Sequence, residues 1–358
     1  MLIEILVAFF SLLFLIILHE FGHFLMAKIF KVKVKEFGIF LPPTLIKKKI
    51  GETTVSLNLL PLGAFVKLEG EDNESQQEGS FSKLEIWKKA LVVLGGVLSF
   101  WIISIFLFFF AFKLGTFVQI GDEIENASTH ILILEVASNS PAQKAGLLPE
   151  DEILEIQNQK VTKISQFQAI VQENLEKEVE IKIKRGDEIF SITAIPRKNP
   201  PLGEGPLGVA LARFLFKKYS FFEAALEAPR FAFNLTIQII SEYLKLIVKG
   251  PPPNFSVSGP VGIVFLLAQK TKLGLSPFLG FLGLLSIYLA IFNLLPIPAL
   301  DGGKLLFLGI EAIFKKPISK EIEAKITFSF LILLLIFAIL VTGLDIRKIA
   351  TFKKFLEK

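Results

Sequence analysis

The chain has no cysteine in its 358 residues. That absence excludes a disulfide framework, thiolate zinc sites, a cysteine nucleophile and thiolate-held iron–sulfur clusters, and leaves the redox compartment open. Histidine is almost as scarce, with only His19, His23 and His130 in the whole sequence. Imidazole-based metal chemistry therefore has almost no choice of ligands. The net charge is +5 and the pI is near 9.1. In a chain embedded in lipid such basic residues mark cytoplasmic loops, so nucleic acid is not expected as a partner.

What the chain has in excess is apolar surface. Hydrophobic residues make up 52% of it and Phe alone contributes 37, yet 20% is charged, and mean hydropathy is +0.59. A single soluble domain has no use for that much Phe, and a helical bundle in lipid cannot hide that much charge, so the average describes two solvents. Residues 5–18 are apolar without a charge, and the pattern resumes from Phe24 to Phe30, broken only by Lys28. A span needs roughly 20 residues, so this helix crosses only if His19, Glu20 and His23 lie within or at the edge of the bilayer. A cleaved leader would carry a basic stretch before the run and a small-residue site after it, and neither is found. Further spans are expected at Ala90–Phe112, about Pro277–Leu295 and Ile326–Leu344. In the third, Gly280, Gly283 and Ser286 allow close helix approach, and Pro296 and Pro298 break its end.

Four crossings put both termini on one side. The stretch from Lys31 to Lys89 carries ten Lys and that from Gly302 to Lys325 carries five, so both are expected to be cytoplasmic. The tail, with Arg347, Lys348, Lys353, Lys354 and Lys358, argues weakly the other way.

Between the second and third spans lies a long extracytoplasmic stretch whose first half reads as a soluble module. Val179–Lys184 and Glu188–Ile195 alternate apolar and polar residues around Arg185-Gly186-Asp187, a hairpin signal. Ile131–Val136 and Glu152–Ile156 are further strands, Ser140-Pro141 opens a short helix stopped by Gly146, and Ser165 caps a helix through Gln172. This order, and above all Ser140 to Leu154, resembles a PDZ domain. Ser220–Val248 follows, with Phe and Leu interleaved among Glu223, Glu227, Arg230, Glu242 and Lys245. That mixture suits a helix lying on a membrane surface, ended by Pro251-Pro252-Pro253.

His19-Glu20-Phe21-Gly22-His23 is the H-E-x-x-H pattern. On a helix the i, i+4 spacing puts both imidazoles on one face, where two nitrogens can grip one zinc and the adjacent Glu can reach a bound water as general base. Two packed histidines and an interfacial Glu would be the structural alternative. A carboxylate near the bilayer centre costs about 2.5–3.5 kcal/mol even on insertion scales, which a bare structural role does not repay. Catalytic zinc wants three protein ligands and an open position. With no Cys, and His130 in the soluble module, the third ligand must be a carboxylate. Asp301 is the obvious candidate, at the cytoplasmic end of span three in Asn293-Leu-Leu-Pro-Ile-Pro-Ala-Leu-Asp-Gly-Gly; its alternative role is a cap before Gly302-Gly303.

His19–His23 in a first span, Leu60-Pro-Leu-Gly-Ala-Phe-Val-Lys-Leu in the following loop, a PDZ-like insertion and Asn293 to Gly302 together resemble the site-2 protease family, specifically its bacterial RseP-type intramembrane proteases. The resemblance implies a membrane-embedded zinc endopeptidase with His19, His23 and Asp301 as Zn2+ ligands and Glu20 activating water. It associates Asn293 and Pro298 with substrate handling, and Ser56–Lys67 with a membrane-associated β-hairpin beside the active site, whose edge could pair with an unwound substrate strand. It further implies single-span substrates in the bacterial cytoplasmic (inner) membrane, such as anti-sigma factors first cut by a site-1 protease, and remnant signal peptides.

The sequence departs from the family in three places. Gly95-Gly96-Val97 in span two is not followed by the usual Asn, Lys304 stands where His or Arg is frequent, and the chain has room for one PDZ-like domain where many relatives carry two. The expected fold is thus a multi-pass α-helical membrane protein of four spans with a membrane-associated hairpin and an inserted α+β PDZ-like domain. The segments are 1–30, 31–89 with the hairpin, 90–112, the PDZ-like 113–198, the linker and surface helix 199–274, 275–303 with the Asp ligand, the loop 304–325, 326–344 and the tail 345–358. A non-catalytic adaptor presenting a PDZ groove and a structural zinc is the competing function. A metal transporter is disfavoured, because ligands at several depths are missing.

Overall fold

The computed structural model of the chain describes residues 2–71, 77–125, 128–186, 188–251, 257–316 and 318–356, with side chains to 347. Asp187 of the expected hairpin turn, Pro252, Pro253 and the side chains of the basic tail beyond Arg347 lie outside that description. The chain divides into two compact units, residues 1–114 with 220–358, and residues 115–219.

The first unit is helical. α1 (Leu2–Ile29) buries Ala8, Leu15, His19 and Gly22 along one stripe, the spacing of a helix seam. That stripe meets α2 (Ile86–Leu114) through glycine: a Cβ on Gly22 would lie 2.3 Å from the Gly95 carbonyl oxygen. Small residues are what let two helices in lipid approach to backbone contact. Between them the chain forms a hairpin of β1 (Val34–Ile50) and β2 (Thr53–Leu68), antiparallel and turning at Gly51-Glu52. It is longer than the segment 56–67 suggested, because β1 pairs with β2 along its length, and Phe37 packs edge-on against Phe24 of α1.

In the second unit, β3 (Thr116–Ile120), β4 (Thr129–Val136), α3 (Pro141–Ala145), β5 (Glu152–Ile156), β6 (Gln159–Lys160), α4 (Ile164–Glu173), β7 (Val179–Arg185), β8 (Glu188–Ala194) and β9 (Val209–Lys217) enclose a separate core. Ile131, Ile133, Ile153, Ile156, Phe167, Val179, Ile181 and Ile183 fill it. The strand order is β3-β9-β4-β5-β7-β8, with β6 on β5. β9 therefore lies between β3 and β4, which moves the end of the module from the expected residue 198 to 219. A long-range pairing of this kind leaves no local signal. The start of α4 is also corrected. Ser165 lies inside the helix, and the Asp122 carboxylate accepts from the Ile164 and Ser165 amides at 3.0 and 2.7 Å.

Back in the helical unit, α5 (Phe221–Lys249) starts on a Ser220–Glu223 capping box. It lies along α2 instead of standing apart as the expected surface helix: Phe231 meets the rings of Phe108 and Phe112, and Trp101 Nε1 donates to Thr236 Oγ1 at 3.1 Å. Ala224, Ala228 and Ala232 are the buried face. Its charges are mostly matched within the helix, as in Lys245–Glu242 and Arg230–Glu227, so they oppose burial less than a residue count implies. Among the described residues five helices, α5 among them, are long and apolar enough to cross a membrane, where four were expected.

α6 (Pro260–Lys272) has 13 residues, short of a span. α7 (Leu275–Asn293) runs antiparallel to α2, with Ser276 and Ser286 hydroxyls donating to the Ala111 and Phe100 carbonyls at 3.0 and 2.7 Å. α7 stops at Asn293, a turn follows, and α8 (Asp301–Phe314) begins a separate helix. The expected segment 275–303 is thus two elements, split where Pro296 and Pro298 remove donors. α9 (Lys320–Leu356) absorbs both the fourth span and the tail. Its buried Asp345 accepts from the Gly259 and Gly262 amides at the start of α6, at 2.9 and 2.8 Å.

Candidate metal centre

His19 and His23 lie one turn apart on the inner stripe of α1, and α2 closes over them at a residue without a side chain. A Cβ on Gly96 would stand 2.2 Å from His23 Nε2 and 2.7 Å from His19 Cε1. The His19 ring stacks on Phe100 at 4.6 Å. His23 Nδ1 lies 3.0 Å from the Val92 carbonyl oxygen. A carbonyl only accepts, so Nδ1 carries the proton and the neutral ring leaves its Nε2 lone pair free.

Asp301 is brought in by the tight packing of α8 on the preceding turn. A Cβ on Gly302 would fall 2.2 Å from the Leu295 carbonyl oxygen, and one on Gly303 2.3 Å from that of Ile297. Leu300, not Asp301, holds the cap position, and no side chain caps the helix. The Asp301 carboxylate is instead turned to the imidazoles.

His19 Nε2 and His23 Nε2 are 3.3 Å apart, and Asp301 Oδ2 is 3.3 Å from each. Among the described residues that buried oxygen has no hydrogen-bond donor. Three electron-rich atoms converging in this way make a poor hydrogen-bonded group and a good donor set for a cation. Zinc held tetrahedrally at about 2.0–2.1 Å separates its ligand atoms by about 3.3 Å, so the triangle fits that ion. Glu20 joins the cluster, a carboxylate oxygen of it and one nitrogen of each imidazole all lying within 4.8 Å of one another.

A small cavity of about 80 Å³ opens on this cluster, lined by Glu20, His23 and Asp301 and, across from them, Glu71 and Lys304. Lys304 Nζ donates to Glu71 Oε1 at 2.7 Å. The negative charge of Glu71 raises the Lys304 pKa above its ordinary value, against the opposing effect of desolvation. Burial pushes the Glu71 carboxyl up, but the charge and hydrogen bond of Lys304 outweigh it and hold it below the usual range. The 48% of the Lys304 side chain that remains accessible lines this cavity and a larger one of about 530 Å³ beside it.

Residues 7–337 match the sequence model of Peptidase family M50. The chain belongs to peptidase family M50. Its relatives include a chain named as a zinc metalloprotease in Clostridium perfringens, 33% identical over 325 residues that cover 89% of this chain and 92% of that one. The zinc metalloprotease RasP of Oceanobacillus iheyensis is 31% identical, over 83% of this chain and 69% of its own. A chloroplast membrane metalloprotease of Arabidopsis thaliana is 29% identical over 96% and 79%. A solved PDZ domain of the SdrC-like protein of Listeria monocytogenes aligns with 25% of this chain and 93% of its own, at 19% identity and a TM-score of 0.22. As an M50 peptidase the protein is a membrane zinc metalloprotease of the site-2 type.

Of the residues expected to carry function in this M50 chain, His19, Glu20, His23 and Asp301 converge. Asn293 ends α7 and donates its side-chain amide to the Leu289 carbonyl at 2.9 Å. Pro298 is buried in the turn before α8, against Gly303. Sequence reasoning missed Phe100, the Val92 carbonyl and the partnership of Glu71 with Lys304. The i, i+3 spacing of Lys304 from Asp301 was the one available signal, since it puts both on one helix face.

Proposed function

We propose that His19, His23 and Asp301 hold the zinc and that Glu20 is the general base of an intramembrane endopeptidase. The observation that carries this reading is the 3.3 Å triangle of His19 Nε2, His23 Nε2 and Asp301 Oδ2. Bound there, the metal would supply a Lewis acid that polarises the scissile carbonyl and makes water acidic enough to deprotonate near neutral pH. Glu20 takes one proton from the attacking water as the new C–O bond forms, and gives it to the departing amine nitrogen as the C–N bond breaks. A cavity of about 80 Å³ has room for a few small molecules and none for a helix, and a helix buries its own carbonyls, so the substrate must unwind before cleavage. The edge of the β1–β2 hairpin, packed on α1 beside the motif, offers a strand for the unwound segment to pair with. Asn293 and Pro298 set the turn that delivers Asp301 and are the candidates for substrate handling.

In this reading the substrates are single-span membrane proteins already shortened on the extracytoplasmic side, such as anti-sigma factors after a site-1 cut, and remnant signal peptides. The PDZ-like module of residues 115–219 screens them from the extracytoplasmic face of a bacterial inner membrane. The test is Glu20→Gln, which keeps the size of the side chain and removes the base. Purified in detergent with a single-span substrate, this variant is expected to bind zinc fully and lose cleavage by about 10²–10⁴-fold. Unchanged cleavage would refute the mechanism.

A further inference from the structure

Building on that reading, we propose that Lys304 is a further catalytic residue, the cation that meets the scissile carbonyl oxygen as it gains negative charge, and that Glu71 is its positioning residue. Among the described residues Lys304 is the only Lys or Arg lining the cavity that holds Glu20, His23 and Asp301. It follows Asp301 by three residues on α8, so it rises from the same helix face as the carboxylate that completes the metal cluster. Glu71, in the segment after β2, fixes it at 2.7 Å.

A simple tie between these two segments has no need of charge. Phe81 and Val93, both buried, already close the same wall, and an ion pair whose lysine stays 48% accessible adds little to stability. What the pair supplies that an apolar contact cannot is a fixed positive charge. Glu20 and Asp301 place two acids on the cavity, offsetting the two charges of a zinc ion. As Glu20 takes the proton of the attacking water it becomes neutral and its negative charge reappears on the carbonyl oxygen, so the step moves charge to an atom that a cation in the cavity can meet. An ammonium has three N–H donors, of which Glu71 takes one and leaves two for that oxygen. Held in advance by Glu71, Lys304 needs no reorganisation when the charge develops, which is where electrostatic stabilisation is strongest. Without Glu71 the four-carbon stem is free to turn towards the larger cavity, whose wall it also forms.

The experiment compares Lys304→Met, Lys304→Arg, Glu71→Gln, the double variant Glu71→Gln/Lys304→Met and Glu20→Gln in the full-length protein in detergent. It reads kcat and KM on a single-span substrate, zinc content, and the Kd of a phosphinic peptide, which mimics the anionic tetrahedral state. Lys304→Met is expected to lower kcat about 100-fold with KM and zinc content unchanged. It should weaken the phosphinic peptide by a similar factor. Lys304→Arg should recover most of the loss, and Glu71→Gln should fall between the parent and Lys304→Met in kcat alone. The double variant leaves no unpaired acid and decides the matter even where Lys304→Met folds badly. If it regains parental kcat, or if phosphinate affinity is untouched by loss of Lys304, the pair is a structural tie and the inference is wrong. Full activity of Lys304→Met beside an inactive Glu20→Gln overturns this inference alone, whereas an active Glu20→Gln overturns the reading on which it rests.

Discussion

The imidazoles, Asp301 and a glycine form the smallest scale on which this protein is constrained. Gly96 is the residue whose identity is least obvious from chemistry, because it contributes no functional group. Its place is fixed by the 2.2 Å that a methyl group would leave to His23 Nε2. Gly96→Ala must therefore push α2 away or turn the imidazole, and loss of zinc affinity of at least about tenfold is expected. Metal titration of the apoprotein measures it, with Ile102→Ala, at an exposed position of α2, as a control that keeps its affinity. Asp301→Asn keeps the size of the ligand and removes its charge, and should likewise weaken zinc and abolish cleavage. A variant that kept full zinc content would mean that Glu20, not Asp301, completes the set. The H-E-x-x-H pattern was legible in sequence because both of its imidazoles sit on one helix. Phe100 and the Val92 carbonyl were not, since nothing in a residue's own neighbourhood records which side chain of another helix will face it.

At the scale of elements, the helical unit is held by a few polar contacts set in apolar surface. Asp345 is buried at 2% exposure and satisfies two amides at the start of α6. Asp345→Ala removes the acceptor from both, and a buried unsatisfied donor costs about 1–3 kcal/mol. The start of α6 should become more susceptible to limited proteolysis, with α1 and α2 resistant as before. Equal cleavage rates in variant and parent would show that the cap contributes little. By sequence Asp345 opens the tail, directly after the apolar run that ends at Leu344. Only the packing of α9 on α6 reveals that the charge faces inward. The same limit explains α5, whose charges suggested a surface helix until its small residues met α2.

On the scale of the whole molecule, the module of residues 115–219 has its own core, and its boundary is set by β9. A fragment of residues 115–219 is expected to unfold cooperatively on heating, whereas one ending at 198 lacks the strand between β3 and β4 and should give no such transition. Calorimetry or far-UV circular dichroism distinguishes the two. Acid sensitivity follows from Asp122. Burial raises its pKa, but the Ile164 and Ser165 amides outweigh that and hold it below the ordinary value. A carboxyl depressed in the folded state stabilises fully above its unfolded pKa of about 3.9, and that stability is lost as pH falls through the lower folded value. The fragment's melting temperature should therefore drop below about pH 4, and Asp122→Asn should flatten that drop. An identical slope in the variant would remove Asp122 as its cause.

The sequence by itself determined four of the long apolar helices, the hairpin signal around Gly186, the zinc motif and, by the lack of other ligands, the need for a carboxylate such as Asp301. These are properties of period, composition and spacing, which local geometry dictates. Tertiary structure alone decided how α5 packs, where the module ends, that Asp301 opens a helix of its own, and that Lys304 and Glu71 share its cavity. Each of these depends on which distant segments meet, and that is set by burial and pairing across hundreds of residues rather than by any residue's neighbours in the chain. The shortage of histidine and cysteine narrowed the chemistry to one metal cluster, and packing supplied the charged wall that faces it.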